Sequence, residues 1–164
     1  MIPEVEDAPL TAKGRKEAHF LQGKVNESSA DMLPELVVIS PLCRALQTAV
    51  IIFTKLIGKV PFLAHEMARE ESGAHVCDRR RPVSSQKVEF PQVDFSLMES
   101  DVDSLFDEVV RESKMQVGER AYKFMEWLSK RKESCVGVAS HSGWLLTVFN
   151  GILECDESLK QWFQ

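Results

Sequence analysis

The sequence predicts an α/β domain in three layers, a largely parallel sheet with helices on both faces. Three observations carry that expectation. Short apolar runs at 37–39, 60–64 and 135–139 alternate with stretches whose apolar residues recur at helical spacing. Each run stops in a polar or turn-forming cluster: Ser40-Pro41, His65-Glu66 and Ser140-His141-Ser142-Gly143. The 164 residues show no internal repeat or boundary, so a single domain is expected over 1–164, large enough for a core of its own.

Taken in order, Asp7-Ala8-Pro9-Leu10 leads to Thr11 as an N-cap. Ala18, Leu21 and Val25 then mark the apolar stripe of a first helix, which Asn26-Glu27-Ser28-Ser29 ends. His19 lies off that stripe, as a solvated histidine would. After Pro34, Val37-Val38-Ile39 suits a buried strand; Ser40-Pro41 breaks it, and Ala45, Ala49, Ile52 and Leu56 trace a helix up to Gly58. A second strand covers 60–64. Residues 73–95 have little periodicity and read as an irregular insertion over the crevice, charged at Cys77-Asp78-Arg79-Arg80-Arg81-Pro82 and aromatic at Phe90 and Phe95. Ser100 is placed to cap a helix carrying Val102, Leu105, Phe106 and Val109. A further helix from about Val117 carries Ala121, Phe124, Met125 and Leu128. The strand at 135–139 follows, then a helix from Trp144 to about Phe149 that stops at Asn150-Gly151. No role is assigned to 152–164. One strand is missing from this pattern, because parallel sheets grow by strand, helix, strand units and the helix from Thr11 has no strand before it. The domain is therefore expected to be truncated at its N-terminus.

Composition narrows the function classes. A net charge of -5 argues against a nucleic-acid partner, with Arg79-Arg80-Arg81 a local basic patch. No stretch approaches the roughly 20 apolar residues of a membrane span, so no membrane partner is expected. The acidic start, Met1-Ile2-Pro3-Glu4-Val5-Glu6-Asp7, lacks the basic and apolar regions of a signal peptide, which predicts a soluble, cytoplasmic protein. Cys43, Cys77, Cys135 and Cys155 form no C-x-x-C pair, so neither a zinc site nor a disulfide framework is indicated. They read as reduced thiols, with Cys43 and Cys135 suited to core packing.

The chemistry centres on Arg44. It sits in the first turn of the helix after the 37–39 strand, where dipole logic would place Asp or Glu instead. An arginine there suits an anion site at the carboxyl ends of parallel strands, where open sheets bind ligands. The competing reading is an arginine paired with a nearby carboxylate, the better one for a lone arginine. His141 changes the balance: it leaves the 135–139 strand between two serines, so in a parallel sheet Arg44 and His141 share one edge.

These segments resemble the histidine phosphatase superfamily, the phosphoglycerate mutase-like proteins. Ser40-Pro41-Leu42-Cys43-Arg44-Ala45-Leu46-Gln47-Thr48-Ala49 is similar to its S-P-L-x-R-A-x-Q-T-A segment, Ser140-His141-Ser142-Gly143 to its second histidine segment, and Asp7-Ala8-Pro9-Leu10-Thr11-Ala12-Lys13-Gly14 to its D-x-P-L-T-x-x-G. The resemblance implies a phosphoglycerate mutase-like fold and a phosphate pocket of two histidines and two arginines, with a carboxyl group as proton donor. Arg44 matches the second arginine and His141 the second histidine. The acid is expected before Gly73, at Glu70, with Glu71 the alternative because the spacing to the glycine is shorter than usual. Arg79 and Arg80 are possible contacts to a small phosphorylated substrate; solvation and pairing with Asp78 and Glu89 are the alternatives, and the solvated reading is preferred for at least two of the three arginines at 79–81. The scheme requires no metal and no organic cofactor.

The departure from the family is the nucleophile. No Arg-His-Gly segment occurs in the 164 residues. The resemblance thus implies phosphomonoester hydrolysis through a phosphohistidine in a longer form, and an inactive chain as it stands; a non-catalytic phosphate-binding or regulatory protein is the alternative. Of the other histidines only His65, at a strand end, offers itself as a substitute nucleophile.

Overall fold

Leu36, Val37, Val38 and Ile39 are all 0% exposed, which explains why that run is continuously apolar rather than alternating. They form β1 (Leu36–Ile39), the middle of a three-stranded parallel sheet in the computed structural model, which describes residues 5–157 and 160. On one side of β1 lies β2 (Phe62–Ala64), on the other β3 (Val136–Ala139), with Ile39 in register with both Ala64 and Ala139. Residues 40, 65 and 140 therefore leave the sheet along one edge.

Alternate residues of β1 serve two cores. Val37 and Ile39 pack against Cys43, Ala45, Leu46 and Ala49 of α2 (Cys43–Ile52), with Phe90, Val93 and Phe95 closing that layer. Helix α1 (Ala12–Glu27) lies on α2. On the opposite face Leu36 and Val38 meet Val117, Ala121 and Phe124 of α4 (Lys114–Ser129) and Trp144 and Val148 of α5 (Ser142–Gly151). The three-layer α/β architecture is the one the sequence predicts. The outer side of β2 is covered by Asp94, whose N–H and C=O bond Phe62 and Ala64. Strand β3 is only half-buried along its length, and among the described residues no strand pairs with its outer side.

Several elements differ from expectation, for local reasons. Thr11 caps α1 as expected, its side chain accepting the Gly14 N–H, but Leu21 is 47% exposed and Ala18 alone is buried. Gln22 docks that helix instead, its amide donating to the Ile51 carbonyl (2.5 Å) and to Thr54 Oγ1 (3.2 Å). The helix after Ser40-Pro41 ends at Ile52, with a 3-10 turn over Thr54–Leu56. The second strand is shorter than 60–64. The 73–95 insertion contains a short helix, α3 (Val83–Glu89), that its sequence did not announce. No helix forms after Ser100. There the carboxylates of Asp103 and Asp107 accept nearby backbone N–H groups, of Arg80 and Leu105 and of Val109 and Val110, and so compete with helical pairing. Val102, Leu105 and Val109 remain exposed, because the apolar spacing there meets no core. Helix α4 begins at Lys114, ahead of Val117, where Ser113 and Gln116 form a capping box. Helix α5 begins at Ser142, two residues ahead of Trp144. Cys43 is buried as expected, whereas Cys135 is half-buried and donates to the Met32 carbonyl. Among the described residues no helix is long and apolar enough to cross a membrane.

Candidate active site

The register of β1 with β3 sets Ser40 beside the first residues after Ala139. His141 Nε2 and Ser40 Oγ are 2.7 Å apart in a hydrogen bond, and both residues are buried. Ser140 Oγ donates to the Ala68 carbonyl at 2.7 Å, tying the same strand end to the segment that carries Glu70. Burial pushes the His141 imidazole well below its usual 6.5, helped by the positive charges of Arg44, Arg120 and Arg69. At neutral pH it is an uncharged ring with one N–H.

Arg44 occupies the first turn of α2, as expected. The carboxylate that dipole logic asks for is present too, supplied from far away in sequence: Asp7 is fully buried and its Oδ1 accepts the Cys43 N–H at 2.7 Å. That negative charge and burial push the Cys43 thiol up to about 11, burial being the larger cause, so it is held as a thiol. Asp7 Oδ2 takes the Arg81 Nε–H and N–H and the Gln86 amide. Arg44 reaches the insertion, with Nη1 donating to the Cys77 carbonyl (2.9 Å) and Nη2 to Asp78 Oδ1 (2.7 Å). Both readings of this arginine thus have a basis: it stands at the strand edge beside His141, and it is paired with a carboxylate.

Glu70 and Glu71 part company. The Glu70 carboxylate lies across the first turn of α5, accepting the N–H of Gly143 and of Trp144 at 3.1 Å each. A methyl group on Gly143 would sit 2.6 Å from Glu70 Oε1, so this close approach needs glycine. Arg120, reaching over from α4, bonds the carbonyls of Met67, Arg69 and Glu70 and so fixes the backbone of that segment. Glu71 turns away to Lys114 and Arg111. Glu70 and His141 are thus both placed at the start of α5, and the Arg44 charge lies close enough to His141 to depress its pKa.

The remaining candidates go elsewhere. Arg80 is 2% exposed and spends all its donors on Glu66 and on the carbonyls of Ser100, Arg81, Asp101 and Val102. Neither a substrate contact nor a solvated side chain describes it; it is a buried tie for the irregular stretch. Arg79 is partly exposed, near Glu6 and Glu108 and over the Phe106 ring. Arg81 pairs with Glu89 and with Asp7, whereas solvation is the reading preferred from sequence for at least two of the three arginines. His65 is buried edge-on to Phe124 and Trp127, with Nδ1 accepting the Met67 N–H at 3.2 Å. His19 is on the exposed face of α1. Among the described residues no group of three His, Cys, Asp or Glu is placed to hold a metal ion. Arg69, Arg111 and Arg120 give no sign of their roles in sequence, since each acts on partners dozens of residues away.

Residues 2–164 match the profile of the histidine phosphatase superfamily (branch 1). Phosphoglycerate mutase-like protein 1 of Arabidopsis thaliana is 35% identical over 182 residues, covering 94% of this chain and 64% of its own length. A second Arabidopsis thaliana phosphoglycerate mutase-like protein is 35% identical over 182 residues, covering 94% and 67%. The alpha-ribazole phosphatase from Shigella flexneri superposes with a TM-score of 0.57 at 22% identity, over 86% of this chain and 66% of its own, a likeness of fold. The chain spans just under two thirds of the length of the first of these relatives.

Proposed function

Because the chain belongs to the histidine phosphatase superfamily, whose members act on small phosphorylated substrates, we propose that it supplies part of a site for phosphomonoester hydrolysis through a phosphohistidine. The observation that supports this most is that His141 and Glu70 both stand at the start of α5, with His141 bonded to Ser40 at the end of β1 and the Arg44 charge acting on its imidazole. In the proposed reaction an imidazole nitrogen attacks phosphorus, an N–P bond forms and the P–O ester bond breaks. A carboxyl group hands its proton to the leaving oxygen, and water then cleaves the N–P bond, returning a proton to the carboxylate. Arg44 grips phosphate oxygens through its planar fork, and His141 donates its N–H from the neighbouring strand end. Glu70 takes the proton-donor role in preference to Glu71, whose carboxylate is engaged by Lys114 and Arg111.

The attacking imidazole belongs to an Arg-His-Gly segment that the 164 residues do not contain. On this proposal residues 1–164 alone hydrolyse a generic phosphomonoester such as p-nitrophenyl phosphate negligibly, and the same chain extended upstream through an Arg-His-Gly segment hydrolyses it. His141→Ala then abolishes turnover of the extended form. Comparable turnover by both forms would mean that the nucleophile has been misassigned. A second reading, a non-catalytic phosphate-binding protein, is distinguished by phosphate binding with no turnover in either form.

A further inference from the structure

We infer that Asp78 is a positioning residue for this phosphate site, fixing the Arg44 guanidinium so that an unspent edge of it faces one anion. The inference rests on the phosphate-site reading and deepens it. A guanidinium has five N–H donors in one plane. Arg44 spends two of them, on the Cys77 carbonyl and on Asp78 Oδ1. Its Nε–H and one hydrogen on each Nη have no acceptor among the described residues, and its side chain keeps 25% exposure. A fork gripped along one edge presents its other edge in a fixed direction, as bidentate capture of phosphate requires.

A carboxylate on a phosphate-binding arginine could instead be a competitor that swings aside when phosphate arrives. The surroundings of Asp78 decide against that. Its side chain is 6% exposed, and Oδ2 accepts from Arg111 Nη1 at 3.1 Å. Arg111 is itself anchored to the Gly73 carbonyl (2.9 Å) and to Glu71 (3.5 Å). The Asp78 N–H is bonded to the His75 carbonyl at 2.9 Å, which fixes the backbone that carries the carboxylate. Displacing it would strip buried partners from two arginines at once. Arg111 also solves an electrostatic problem. A lone carboxylate would cancel the charge of Arg44, whereas the series Arg44, Asp78, Arg111, Glu71, Lys114 alternates in sign and ends on a cation at both sides. Asp78 thus holds Arg44 without neutralising the site. In sequence it stands next to Arg79-Arg80-Arg81 and invites pairing with them, yet its partners lie 34 and 33 residues away.

The test is isothermal titration of the 164-residue chain with inorganic phosphate, for wild type, Asp78→Asn and Asp78→Ala, with thermal melts in parallel. Loss of the anchor is expected to weaken phosphate binding roughly tenfold or more in Asp78→Ala, since small misplacements of a binding group have effects of that order. Asp78→Asn keeps the shape and one acceptor oxygen and is expected to lose less, and it carries the test should Asp78→Ala fail to fold. Unchanged affinity in the folded variants, with only the melting temperature lowered, would make Asp78 purely structural and overturn the inference. Tighter binding would make it the competitor and overturn it equally. A wild-type chain that takes up no phosphate sinks the underlying site reading instead, a result distinct from the other two.

Discussion

At the scale of single residues, His141 and Glu70 are set by burial and by one glycine. His141 is neutral when folded because burial and three nearby arginines depress its pKa, and burial depresses that of His65 as well. In the unfolded chain both titrate near 6.5, so below that pH the unfolded state binds protons that the folded state does not. Their stabilising contribution is therefore full above pH 6.5 and is lost as pH falls, by up to about 1.4 kcal/mol per pH unit for each histidine. Asp103 and Glu112, held low by Arg69 and Arg120 against their own burial, act in the same direction, but only near and below their ordinary values of 3.8 and 4.5, which leaves about pH 5 to 6.5 to the histidines. Urea unfolding across that window is expected to show stability falling with pH, and His141→Asn to remove about half of the slope. For Gly143→Ala the added methyl meets Glu70 Oε1 at 2.6 Å. The carboxylate must leave the first turn of α5, and loss of that cap is expected to cost about 1 to 2 kcal/mol in chemical denaturation. A loss within a few tenths would show that the carboxylate relocates without penalty.

At the scale of elements, the irregular stretch after α3 is held by buried charge. Asp103 binds Arg69 bidentately at 2.8 and 2.6 Å, and both side chains are almost wholly buried. Asp103→Ala would leave the Arg69 charge without its main partner, for an expected loss of about 3 to 5 kcal/mol measured by urea unfolding. A loss below 1 kcal/mol would show that Glu66, 3.3 Å away, suffices alone. The helix expected at Ser100 fails for a related reason. Its apolar spacing was legible, but the aspartates at 103 and 107 are committed to arginine and backbone partners that the sequence does not reveal. Gly73 is more readable: its φ of +89° and the Val110 carbonyl, 2.0 Å from any Cβ, both demand glycine at the turn where the two irregular stretches touch.

At the scale of the whole molecule, Phe124 joins the layers. It is fully buried and lies edge-on to His65 beyond β2 and to Trp144 on α5, with centroids 5.3 and 5.2 Å away. Phe124→Ala is expected to cost about 3 to 5 kcal/mol while unfolding remains a single transition, checked by following far- and near-UV circular dichroism together in urea. The parallel sheet, its two helical faces and the edge shared by Arg44 and His141 were all legible in sequence. Each depends on local periodicity and on the rule that parallel strands present their carboxyl ends on the same side. What only the tertiary structure decided is how the charges pair: Asp7 accepts an N–H in the first turn of α2, Glu70 rather than Glu71 lies on α5, Arg80 is buried, and Asp78 holds Arg44. The reason is physical. Apolar burial is written into a segment's own spacing, whereas a charged side chain is committed by whichever distant partner the fold brings within hydrogen-bonding distance, and no local pattern encodes that choice.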